Sequence, residues 1–550
     1  MSNVRLDRLR RGATPVANAA IDECLSGRID KREFLRWASV LGGAIPLLGT
    51  GGCTVSDDAV ADRTGGVVRV GMPVPAARID PLTVADTGGV CMLSQTGEYL
   101  AVSGPDLRLQ PVLATSWASN DNGTVWTFRI RQGVRFHDGR TLTAADVVAT
   151  FDRLADPANG SIALSAFSGV LSKGGARAVD AQTVAFHLDA PNGSFPYLVS
   201  SDNFNAIILP ADYAGGFEDS FIGTGPFRLE RFTPKVGAAF VRNDAYWGRK
   251  ALPDRTSFLF YDSLQAQVLA IQGGQVDVLL HVPVHGTQAL LADPRLNILA
   301  LRSSAHEQLH MRCDRPPFHD PRVRRAIALC LDRDALVTGL YAGRGTLGND
   351  SPFAPLYAAT DPGVPQRRKD LREAKALLTA AGHPDGFAAL LTTERFQEIP
   401  DYAVVIQNAV KAIGVRLTLN VEDQAAFYGQ ATFGQSDWLD STMGIEDYAH
   451  RGVPNTILAA SLTTPGTFNA AHFRNPSYDR LVAGYIAALE PASQRATAGQ
   501  IQRLLLAETP VVTTCFYDWL TVNTKRITGV RPTAMAQLFL DRAHPVPVDG

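Results

Sequence analysis

Cysteine is scarce, with six in 550 residues, and no two stand as Cys-x-x-Cys, so neither a zinc knuckle nor a redox dithiol is indicated. A chain of this length buries about three quarters of its unfolded surface and needs no covalent staple to hold a core. Excess charge is missing too. Lys plus Arg is 52 against 54 Asp plus Glu, a formal charge of -2. Near-neutral charge argues against nucleic acid as partner, because phosphate neutralisation requires a basic face. The basic runs Arg322, Arg324, Arg325 and Arg367, Arg368, Lys369 flank helix starts and read as solvated faces. There is no Gly-x-Ser-x-Gly elbow and no Walker lysine, so hydrolase and nucleotide chemistry lack their usual entry points.

What is present is a globular composition, 45% apolar and 19% charged. At roughly 150 residues per domain the length suits three to four domain-sized units or two large lobes. Residues 1–52 read as an export signal rather than fold. Eight basic residues precede an apolar run from Trp37 to Leu48, shorter than the roughly 20 residues a membrane span requires. Asp30-Lys-Arg-Glu-Phe-Leu-Arg36 resembles a twin-arginine export signal with Lys in the first Arg position, and Thr50-Gly-Gly-Cys53 resembles the end of a lipobox, which makes Cys53 a candidate for lipidation. Beyond that segment 44 basic and 49 acidic residues remain, with Cys91, Cys313, Cys330 and Cys515 as thiols whose pairing spacing does not define.

From Val67 onward short strands alternate with amphipathic helices, which predicts a mixed α/β architecture. Trp126, Phe128 and Ile130 share one strand face, and with Val134 and Phe136 after Gln132-Gly133 they predict a hairpin. Thr143 with Asp146, Ser263, Asp320 before Pro321, and Asp370 with Glu373 mark helix starts. The run Tyr402 to Ile413, then Gly414, then Val415 to Val421 predicts helix, cap and strand.

Two constellations invite chemistry. His306-Glu-Gln-Leu-His310 matches the letters of a zinc protease motif, in which two His one helical turn apart hold the metal and the Glu serves as base. Nothing nearby supports a helix, and in a strand residues four apart lie about 13 Å from each other, too far to share one ion. Gly343-Arg-Gly-Thr-Leu-Gly348 has the letters of a dinucleotide fingerprint but follows a helical stretch instead of a strand, so it reads as a connector. No metal and no cofactor are expected.

Five blocks, in order, carry a resemblance. They are Pro111 to Trp117 with Trp126 to Gly139, Leu142 to Val148, Gly223 to Phe227 with Arg242 to Trp247, Pro316 to Ala326, and Ala374 to Gly386. Together they resemble the extracellular solute-binding proteins of the peptide and nickel class, family 5, which serve ATP-binding-cassette (ABC) importers. The resemblance implies a two-lobed α/β receptor of the periplasmic-binding-protein type, in the large class with an extra subdomain. Lobe one is expected at 65–305 plus 515–550, with the subdomain at about 105–222, and lobe two at 306–514, the chain crossing near Leu309 and Val511. It implies a non-catalytic, extracytoplasmic monomer that captures di- or oligopeptides and delivers them to a membrane permease. Relatives binding oligosaccharides, opines or chelated nickel supply the alternative ligands, and a zinc hydrolase on His306, Glu307 and His310 supplies the rival from another class.

A peptide always presents a terminal ammonium, and a buried carboxylate is its natural mate. Peptide-binding relatives place it in a Gly-Trp-x-x-Asp segment. Here Met443-Gly-Ile-Glu-Asp-Tyr448 stands in that place, nominating Asp447, with Glu446 as the alternative acid and Ile445 and Tyr448 beside it. Tyr517 and Trp519 are nominated as aromatic contacts on one face of a returning strand.

Overall fold

A computed structural model describes residues 65–546. The expected export segment and Cys53 lie outside the described residues. Among the described residues no helix is long and apolar enough to cross a membrane.

The chain builds three principal sheets. The largest has seven strands in the order Leu296–Leu301, Trp519–Thr524, Val278–Leu279, Val67–Pro73, Arg255–Tyr261, Gly237–Arg242 and Phe227–Thr233. Val67–Pro73 runs parallel to both its neighbours and the other pairs are antiparallel. A second sheet of five strands runs Arg416–Glu422, Ala388–Glu394, Met443–Tyr448, His306–Met311 and Val511–Thr513. A four-stranded antiparallel sheet joins Ala114–Ser119, Val125–Ile130, Thr183–His187 and Ala176–Asp180. The first and third sheets share one apolar core, from Val68 through Phe128 and Phe186 to Ala543, while the five-stranded sheet packs on its own around Leu309, Ile406, Ile445 and Val512.

Local chemistry sets most helix starts. Thr143 and Asp146 form a capping box for Ala144–Ala155, whose stripe Val147, Phe151 and Leu154 is buried. Ser263, Asp320 and Asp370 accept hydrogen bonds from first-turn amides of their helices. Glu373 does not close a box with Asp370; it bonds Arg325 instead. Ile399–Val410 ends through a short 3-10 turn at Gly414, whose φ of 81° suits glycine, and Arg416–Glu422 follows.

Two expectations fail. Val125–Ile130 pairs with Ala114–Ser119 and Thr183–His187, not with the segment holding Val134 and Phe136. Val134 and Phe136 are buried, but their segment makes only a single bridge, Arg135 to Thr141, because Phe136 donates to the Arg140 carbonyl in a tight turn. Nor are the basic runs uniformly solvated. Arg324 is buried and donates to the carbonyls of Phe318, Glu508 and Thr509, and Arg367 joins Arg333 on the buried carboxylate of Asp350.

Candidate functional site

The site grows from two neighbouring strands of the five-stranded sheet. His306–Met311 and Met443–Tyr448 pair antiparallel with Leu309 opposite Ile445 and Glu307 opposite Asp447. Side chains alternate along a strand, so Ile445, Leu309, Met443 and Met311 form one apolar face, and that face ends in two acids side by side. Ile445 is therefore a core residue.

Each acid meets a tyrosine. Tyr517 donates to Asp447 Oδ1 at 2.5 Å, Tyr341 donates to Glu307 Oε2, and the two rings stack with centroids 5.7 Å apart. A third carboxylate approaches from the start of Ile399–Val410. Glu398 accepts from the amides of Val284 and His285 at 2.8 and 2.9 Å, and His285 Nδ1 lies 2.8 Å from Asp401. This contact joins the loop after Val278–Leu279 of the seven-stranded sheet to a helix of the five-stranded one.

The electrostatics follow from crowding of like charge out of water. Burial pushes the Asp447 carboxyl up to about 7, with the Tyr517 bond and Arg451 opposing and Glu394 and Glu398 adding. Burial holds Glu307 well above the usual carboxylate range, only partly offset by Tyr341, and raises Glu398 and Glu394 in the same direction. Among the described residues neither Asp447 nor Glu307 has a cationic side chain within ion-pair distance. The geometry leaves acids held by hydroxyl donors and suits a guest that brings its own positive charge.

The opposite face of the same strands has another character. Glu446 accepts from Gln308 Nε2 at 3.0 Å and lies 2.7 Å from His310 Nδ1, with Glu446 and His310 both fully buried. The His310 ring occupies the space over Gly444, where a Cβ would lie 2.5 Å from its Cε1. Tyr448 stacks on His306 at 5.5 Å. Glu446 and Tyr448 thus point away from Asp447, and the Glu446 carboxylate already has partners. The letters of the zinc motif are split likewise: His306 and His310 share this face of a strand while Glu307 turns to the other.

Tyr517 and Trp519 do not lie on one continuous strand. Cys515–Tyr517 pairs with Gly345–Leu347, the chain breaks at Asp518, and Trp519–Thr524 joins the seven-stranded sheet. Tyr517 accordingly reaches Asp447, whereas Trp519 stacks on His281 at 3.9 Å and donates to Thr521. Sequence reasoning missed Tyr341 and Glu398. For Glu307 a signal existed, since an acid continuing the buried face of Leu309 and Met311 demands a partner.

The sheets, the separate cores and the acid-lined junction between them define a two-lobed binding protein of mixed α/β type. Solved structures of that fold superpose: HbpA2 from Haemophilus parasuis at TM-score 0.74 and 22% identity, covering 88% of this chain and 100% of that one, and DppA from Helicobacter pylori in complex with the peptide STSA at 0.71 and 22%, covering 88% and 99%. Residues 108–453 match the family described as bacterial extracellular solute-binding proteins, family 5 Middle. The chain belongs to the family 5 solute-binding proteins of ABC importers. Among curated proteins it is similar to the glutathione-binding protein GsiB of Escherichia coli (strain K12), 25% identical over 468 residues that cover 82% of this chain and 89% of that one.

Proposed function

We propose that this receptor captures peptides, di- or oligopeptides, between its lobes and hands them unchanged to a membrane permease for import. The lobes divide at 65–305 plus 515–550 and 306–514, with the subdomain at about 105–222 in lobe one. Asp447 takes the terminal ammonium and Tyr517 orients its carboxylate. Ile445 backs the site from the core, Glu446 and Tyr448 brace the strand from behind, and Trp519 offers a ring on the lobe-one side. The extended backbone of the guest is held by main-chain hydrogen bonds that read no side chain, as in strand addition. The protein works outside the cytoplasm as a non-catalytic monomer, with residues 1–52 as its export signal and Cys53 as the lipid attachment point. H. pylori DppA was solved with a peptide, and GsiB is named for the tripeptide glutathione, which supports the ligand class.

The observation that carries the reading is Asp447, a half-buried acid whose hydrogen-bond donor is a tyrosine and not a cation. Titration calorimetry tests it with a free and an N-acetylated tripeptide on wild type and Asp447→Asn. The expected result is weaker binding of the free peptide by the variant, and of the acetylated peptide by both. Equal affinities throughout would overturn it.

A further inference from the structure

Asp202 and Arg451 are opposite charges that share a cavity and do not touch. Asp202 Oδ2 accepts from Ser103 Oγ at 2.8 Å, while its Oδ1 is buried without a hydrogen-bond partner. The Arg451 guanidinium donates to the carbonyl of its neighbour His450 at 2.8 Å and, among the described residues, closes no ion pair, although Asp202 and Asp447 both attract it. Opposite charges out of bulk water attract strongly and normally collapse together. The Asp202 carboxylate packs against Gly452 so closely that a Cβ there would sit 1.8 Å from Oδ2, which fixes the acid beside the residue following Arg451 instead of on its guanidinium. Both groups line one cavity, with Tyr197, Asn203, Asn205 and Thr456.

We propose that this cavity is a second ligand subsite that takes a zwitterionic α-amino-acid group, ammonium toward Asp202 and carboxylate toward Arg451. Such a group carries both charges on one carbon and so bridges an acid and a guanidinium that do not meet. A neutral amide or sugar leaves both protein charges uncompensated, and a lone ammonium or carboxylate leaves one. Burial raises the Asp202 carboxyl to about 7 against Ser103 and Arg451, as expected of an acid short of one cationic neighbour. The subsite deepens the peptide-receptor reading and rests on it, because the guest is a molecule carrying an amino-acid head.

The experiment uses two probes on the mature receptor, followed by calorimetry and ligand-observed NMR. L-alanine, with N-acetyl-L-alanine and L-alaninamide as single-charge controls, reads this subsite. The tripeptide amide Ala-Ala-Ala-NH2, which has an amino terminus and no carboxylate, reads Asp447. Wild type is expected to bind alanine at least tenfold more tightly than either control, a comparison that needs no variant. Asp202→Asn is expected to lose alanine tenfold or more and keep the tripeptide amide within about threefold, Arg451→Gln to lose alanine likewise, and Asp447→Asn to keep alanine and lose the tripeptide amide. No alanine binding by wild type, parity with the controls, or indifference to Asp202→Asn and Arg451→Gln overturns the subsite. A tripeptide amide indifferent to Asp447→Asn overturns the Asp447 reading instead.

Discussion

One pair of strands carries acids on both of its faces and treats them in opposite ways. Behind the sheet, Glu446 meets His310 and Gln308 in a fully buried cluster. In front, one residue along, Asp447 and Glu307 meet hydroxyls and one another. An acid whose charge is compensated inside the protein serves the fold, whereas one left with neutral donors is held ready for a cation from outside. The difference lies in the residues facing each acid and in depth, since Glu446 is fully buried and Asp447 only partly so.

The comparison breaks most violently if the rear cluster is cut. His310→Ala leaves Glu446 buried without its imidazole and is expected to cost about 3–5 kcal/mol of unfolding free energy, read by chemical denaturation. In the folded fraction peptide affinity should persist. Asp447→Asn should act the other way round, weakening a free-amino peptide about a hundredfold, close to 2.7 kcal/mol at 1.36 kcal/mol per decade, while leaving the ligand-free protein no less stable in the same denaturation assay. A variant that lost stability and kept affinity would put Asp447 in the class of Glu446.

Tyr517→Phe sharpens the contrast at smaller scale. Removing one hydroxyl donor should weaken the same peptide by about 1 kcal/mol and push the Asp447 carboxyl still higher, visible as a displaced pH profile of binding. The smallest effect is a proton. With the folded Asp447 raised to about 7 and its unfolded value at 3.8, the native state holds the extra proton across that window, so this group lowers stability as pH rises from about 4 to 7. Glu307, Glu394 and Glu398 are shifted in the same direction. Seating an ammonium favours the carboxylate. Peptide binding near pH 6 is therefore expected to release protons, measured by calorimetry in buffers of different ionisation enthalpy, and Asp447→Asn should release fewer.

Much of the scaffold is legible in the sequence because its signals are local. Thr143 with Asp146, Ser263 and Asp320 announce helices within one turn of themselves, and the structure places helices there. The misread hairpin shows the limit. Val134 and Phe136 have strand-like alternation, yet the partner that Val125–Ile130 selects, Thr183–His187, lies some 50 residues on, where no local rule reaches. The candidate site is harder still. Asp447 could be nominated from a family segment, but its neighbours arrive from Tyr341, Glu398 and Tyr517, and the break at Asp518 that sends Tyr517 and Trp519 to different sheets depends on pairing partners distant in sequence. Alternation along Met443–Tyr448 separates Glu446 from Asp447 wherever the segment is read as a strand.

The grip of Glu398 on the amides of Val284 and His285 bears on timing. Any gap that opens beside this helix end must first surrender two hydrogen bonds to a carboxylate and strand that carboxylate among three others of like sign. A departing cation would return Asp447 and its neighbouring acids to their raised pKa, so release of the cargo takes up the protons that its capture expelled.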